Sequence, residues 1–150
     1  MTTDTATAYL RTTVLTAKPE QLRLMLLEGA VKFARQGREG MVTKHHEQAF
    51  TGLSRARDIV VELMTSIRPD TESTLRERVK GLYAFIFKQL VDASFEKDVA
   101  KVDDAIRLLE YEVETWKMAL EQAAQERGNA PAPVQTGAAA GLRAALSVQG

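Results

Sequence analysis

The chain reads as an all-α protein, an antiparallel up-and-down four-helix bundle with a short N-terminal cap segment and a disordered C-terminal tail. Three observations carry that reading. Apolar residues recur at spacings of three and four through four long segments. No run shows the strand period of two. The breaks between segments are short, and short connections return a helix antiparallel to its neighbour.

Residues 1–18 form the cap segment. Its first eight positions are Thr-rich, and between Tyr9 and Ala17 only Tyr9, Leu10, Val14 and Leu15 are large and apolar. They are too few for an independent helix and enough to dock on one. The bundle domain spans 19–127. Its first helix starts at Pro19, where a missing N–H costs nothing, and runs to about Glu39, with Gly37 and Gly40 marking its fraying end. Leu22, Met25, Leu26, Gly29 and Phe33 fall on one face. A glycine inside a helix costs about 1 kcal/mol against alanine, and close approach of a neighbouring helix at Gly29 would offset that.

The second helix, about Lys44 to Ile67, lines up Ala49, Leu53, Ala56, Val60, Leu63 and Ile67 before Arg68-Pro69-Asp70 breaks it. The third, about Thr71 to Phe95, aligns Leu75, Val79, Leu82, Tyr83, Ile86, Leu90 and Ala93. The fourth, Asp98 to Arg127, carries Val99, Val102, Ile106, Leu109, Val113, Trp116 and Leu120, the seam of a left-handed helical packing. Trp116 suits an interior knob of that seam. Residues 128–150 turn to Ala, Gly, Pro and Gln with little to bury and read as the disordered tail.

Composition and motifs exclude several kinds of chemistry. The chain has 150 residues and no Cys, so it has no thiolate zinc site and no Cys nucleophile. Lys plus Arg (20) balance Asp plus Glu (20), leaving no global field for nucleic acid. No apolar run reaches the roughly 18 residues of a membrane span, and no secretory signal is visible. A di-iron bundle needs Glu-x-x-His on two helices. The only histidines, His45 and His46, are preceded by Val42 and Thr43 at that offset. Asp103 and Asp104 diverge on a helix and form no acid–base pair, and no Gly-rich loop precedes a Lys-Ser or Lys-Thr. The expectation is no enzyme, no metal and no cofactor. Phe85, Phe87, Leu24, Leu27, Ile59 and Val61 are surplus to single core stripes, which points to an uncovered apolar surface for a partner.

Tyr9, Val14, Thr16, Ala17, Pro19 and Leu22, followed by Met25, Leu26, Gly29 and Ala30, resemble in order and spacing the N-terminal signature of the flagellar export chaperone family FliS. Leu27 and Glu28 replace its usual Tyr and Asp. Leu53, Ala56, Ile59, Val60, Glu62 and Leu63 match its second helix. Leu82-Tyr83-Ala84-Phe85-Ile86 with Leu90 and Ala93 is similar to its Leu-Tyr-Asp-Tyr-Ile segment, and Trp116 stands where its last helix carries a Trp. The resemblance covers Tyr9 to about Leu120. It implies a cytoplasmic chaperone for flagellar type III export. Such a protein binds the disordered C-terminal region of flagellin, prevents premature polymerisation and delivers it to the export gate component FlhA. By position the resemblance assigns Tyr9, Leu10 and Val14 of the cap to partner binding, and Ile59, Leu82, Tyr83, Phe85 and Ile86 are the candidates for a groove on the helices. Tyr83 is expected at a groove edge with its hydroxyl in water. The free chain is expected to be a monomer or weak dimer, without nucleic acid or membrane insertion. The alternative is a self-associating helical module with a non-flagellin partner.

Overall fold

The computed structural model describes residues 2–16 and 18–129. They form five helices and, among the described residues, no strand: α1 (Thr2–Thr16), α2 (Pro19–Val42), α3 (His46–Thr65), α4 (Ser73–Glu96) and α5 (Val99–Asn129). α2 packs on α3 and α5, α3 on α4, and α4 on α5, so these four helices close a ring of neighbours. α1 stands outside that ring. The expected tail lies outside the described residues from 130 onward, and Gly128 and Asn129 continue α5.

Local chemistry explains the boundaries. Lys18 N donates to Gln21 Oε1 at 3.3 Å ahead of Pro19 and opens α2. Lys44, with φ of 61°, reverses the chain after Val42, so α3 starts at His46. The Glu72 carboxylate accepts from Thr74 N at 3.0 Å and Leu75 N at 2.9 Å, capping α4. Those backbone hydrogen bonds hold its carboxyl below the usual Glu range. Lys97 takes a left-handed conformation (φ 54°), and Asp98 Oδ1 accepts from Ala100 N at 3.0 Å to start α5.

The core stripes of α3 and α5 fall where the spacing places them. Leu53, Ala56, Val60 and Leu63 are buried, with Ile67 just past α3, as are Val102, Ile106, Leu109, Val113 and Trp116, the last 2% exposed, while Ala49, Val99 and Leu120 of those stripes are only partly buried. The face of α2 differs. Arg23, Leu27, Ala30, Val31, Ala34, Gly37 and Gly40 are buried, while Leu22, Met25, Leu26 and Phe33 are only partly so. Leu27, counted as surplus, is fully enclosed.

Small residues select that face. A Cβ on Gly52 would lie 2.4 Å from Gly37 N, and one on Gly40 would lie 2.4 Å from Ala49 N. The α2 and α3 backbones therefore touch at Gly37, Gly40 and Gly52. At Gly29, where close approach was expected, a Cβ would meet only Ile59 Cδ1 at an ordinary 3.5 Å. Gly37 and Gly40 are thus packing glycines, a correction to the fraying end. Gly52→Ala is expected to lower stability by about 1–3 kcal/mol through overpacking. Gly81 sits inside α4, and a Cβ added there would meet nothing within 4 Å. Gly81→Ala is therefore expected to raise stability by about 0.5–1 kcal/mol. Denaturant melts of the two variants check both signs.

The N-terminal segment also departs from expectation. Residues 2–16 are helical, and Tyr9 and Leu10 are 71% and 58% exposed.

Candidate functional site

The contacts between α4 and α5 set an antiparallel register. Asp92 Oδ2 lies 3.8 Å from Lys101 Nζ, Gln89 Nε2 donates to Asp104 Oδ2 at 3.3 Å, and Tyr83 meets Glu112 further along. Each step back along α4 matches a step forward along α5. Continuing from Gln89 and Asp104 at alternating spacings of four and three brings Phe85 level with Leu108, Leu82 with Tyr111, and Leu75 with Met118. Phe85, Tyr111 and Met118 are 49%, 71% and 62% exposed. Leu82 and Leu108 are partly buried against the core. Along this register the α4–α5 seam is a candidate apolar groove, half-buried leucines beside exposed aromatic and thioether side chains, interrupted at the level of Arg78 and Thr115. Such a surface suits an amphipathic helix laid along it.

A second cleft, of about 500 Å³, runs between α2 and α5, lined by Glu28, Val31, Lys32, Arg35, Glu110, Val113, Glu114 and Lys117. Its rims are charged, and Arg35 pairs with Glu110 across it. Val31 and Val113 are already 8% and 7% exposed, so an occupant would find little apolar floor to cover. The α4–α5 groove is the better docking surface.

Beneath that groove lies a polar cluster unforeseen in the sequence. Arg23 is the one charged side chain buried among the described residues. Its Nη1 donates to Ser66 Oγ at 3.1 Å, and its Nη2 to the Leu63 carbonyl at 3.2 Å and to the Tyr83 hydroxyl at 3.4 Å. Its guanidinium carbon is 5.5 Å from the Tyr83 ring centroid and 5.8 Å from that of Trp116. Burial pushes the Tyr83 phenol up to about 12 against the opposing effect of Arg23. Burial also raises the Glu112 carboxyl above the usual Glu range, opposed by Arg23 and by the hydrogen bond with Tyr83.

That shift has a sign. A carboxyl whose folded pKa is raised binds its proton more tightly in the folded state, so its contribution to stability grows as pH falls through the folded value. Glu112→Gln, neutral throughout, is expected to melt higher than the parent at pH 7. The gain should vanish as pH drops below the ordinary Glu value, and paired melts at pH 7 and pH 4 check it.

The expected partner residues divide among different environments. Phe85 and Leu82 belong to the groove. Ile59 is partly buried on α3, against the core. Ile86 is fully buried. Tyr83 is 0% exposed, with its hydroxyl bonded to Arg23 instead of water, so the groove-edge placement is corrected. Tyr9 and Leu10 are exposed on α1, and the Val14 side chain lies outside the described residues. Tyr111 and Met118 escaped the sequence reading, although their seven-residue separation marks one helix face. Among the described residues, no helix is long and apolar enough to cross a membrane, and no cluster of His, Asp and Glu could hold a metal ion.

Residues 1–123 match the family model described as "Flagellar protein FliS". The chain is 26% identical over 121 residues to a "Flagellar secretion chaperone FliS" of Bacillus subtilis (strain 168), covering 81% of this chain and 90% of that protein. It is 24% identical over 100 residues to the protein of that description in Vibrio cholerae serotype O1, covering 67% and 74%. The counterpart in Escherichia coli (strain K12) is 24% identical over 108 residues, covering 71% and 79%.

Proposed function

The chain belongs to the FliS family of flagellar secretion chaperones, and we propose that it holds the C-terminal region of flagellin in the cytoplasm until export. The single observation that best supports this is the apolar α4–α5 groove, with Phe85, Tyr111 and Met118 exposed on a helical body. A partner segment that is disordered when free can fold as an amphipathic helix along that groove. Affinity then comes from apolar burial, reduced by the entropy of ordering the segment. An occupied polymerisation segment cannot pair with a second flagellin. The body is an antiparallel up-and-down four-helix bundle, and the binding needs no nucleotide, metal or catalysis.

Delivery to the export gate component FlhA falls to α1. Tyr9 and Leu10 present an aromatic and an aliphatic side chain to solvent outside the helical ring, and Val14 follows Leu10 by one helical turn on the same element. Free chain is a monomer or weak dimer in this scheme. Equimolar chain should suppress seeded polymerisation of flagellin monomers, followed by light scattering. Growth at an undiminished rate would sink the proposal.

A further inference from the structure

Burial of Arg23 needs an explanation that core stability does not supply. Its side chain leaves α2 one turn after Pro19 and enters the interior with only 6% exposure. Its Nε has no hydrogen-bond partner. A buried guanidinium with one donor unmet is costly, and an apolar side chain of similar volume would often fill the same space with equal or better stability. What Arg23 supplies instead is geometry. Its guanidinium carbon lies 5.5 Å from the ring centroid of Tyr83 on α4 and 5.8 Å from that of Trp116 on α5. Its fork is fixed to the C-terminal turn of α3 through Leu63 and Ser66. The Tyr83 hydroxyl then links it to Glu112 on α5.

Tyr83 and Glu112 each follow a groove residue, Leu82 and Tyr111, in the chain. The polar cluster therefore lies at the level of Leu82 and Tyr111 on the α4–α5 seam. We infer that Arg23, acting through Tyr83 and Trp116, is a positioning residue that sets the separation of α4 and α5, and with it the width of the groove offered to a partner helix. The guanidinium fork ties the end of α3 to Tyr83 of α4 beside Trp116 of α5, whereas a flexible aliphatic chain makes none of those hydrogen bonds and would let the seam relax. Specificity of a groove for a helix depends on such spacing, because a supporting shell loose by about 1 Å is enough to spoil a site. The inference rests on the reading of this groove as the flagellin site.

The chain has no Cys, so spin labels can be placed at will. Ala84→Cys on α4 and Glu114→Cys on α5 are exposed positions, and pulsed dipolar spectroscopy between them reads the α4–α5 separation. The variants are Arg23→Met, which keeps length without the planar fork, and Tyr83→Phe, which removes only the hydroxyl link. Affinity is read by titration with a flagellin C-terminal segment of about 40 residues, an ordinary interface length. Arg23→Met should retain or raise the melting midpoint, shift and broaden the distance distribution, and weaken binding roughly tenfold. Tyr83→Phe should move both readouts in the same direction by less.

Unchanged distance distributions in both variants would overturn the inference, as would an affinity loss that merely follows a loss of stability. If Arg23→Met fails to fold, Tyr83→Phe decides by the same readouts. If the parent chain does not bind the segment while the Arg23→Met distance still shifts, the spacing role stands and the flagellin assignment of the groove falls.

Discussion

Trp116→Ala is expected to destabilise the protein by about 3–5 kcal/mol, the cost of deleting a large buried aromatic. Trp116 is 2% exposed on the inner face of α5, among the most voluminous enclosed side chains of the core. Its removal also strips a ring whose centroid lies 5.8 Å from the Arg23 guanidinium carbon. The remaining cation would sit beside a cavity, which adds to the transfer and void terms. For a domain of this length the melting midpoint should fall by roughly 10–15 °C. An unchanged midpoint would mean that Trp116 is a surface anchor, and the α5 seam would have to be redrawn.

The second large effect concerns binding. Phe85→Asp combined with Tyr111→Asp is expected to abolish measurable association with the flagellin C-terminal region while leaving helicity and melting nearly unchanged. Both side chains are around half exposed or more, so the folded chain loses little packing when they change. In a complex each would be desolvated against an apolar helix, and an unpaired carboxylate there costs several kcal/mol. Aromatic anchors of this kind dominate interface energetics. Far-ultraviolet circular dichroism verifies the fold of the variant, and titration calorimetry reads the loss. Parental affinity in the double variant would move the site away from the α4–α5 groove.

Much of the helical order was legible from periodicity alone. The α3 and α5 stripes are built from large aliphatic residues at spacings of three and four, and hydrophobic burial acts on those residues most strongly. On α2 the same reasoning selected the wrong face. There the contact is made by Ala30, Ala34, Gly37 and Gly40, which let α3 approach to backbone contact at Gly52. A count of large apolar side chains does not register absent ones. The groove was half visible. Leu82 and Phe85 stood out in the sequence, but Tyr111 and Met118 lie among charged residues of α5 and emerge only when the α4–α5 register is known. Arg23 resembled any solvated helical cation, and only the α3 terminus, Tyr83 and Trp116 converging on it disclose its role. The α1 helix shows the reverse limit, since so few apolar residues did not prevent a helix.

Titration calorimetry of the chain against flagellin from the same organism, intact and lacking its last ~40 residues, tests the central claim most directly, that length being an order-of-magnitude choice for a wrapped segment. Saturable one-to-one binding to intact flagellin, lost on truncation, is the predicted result. Equal binding to both forms, or binding to neither, would contradict it.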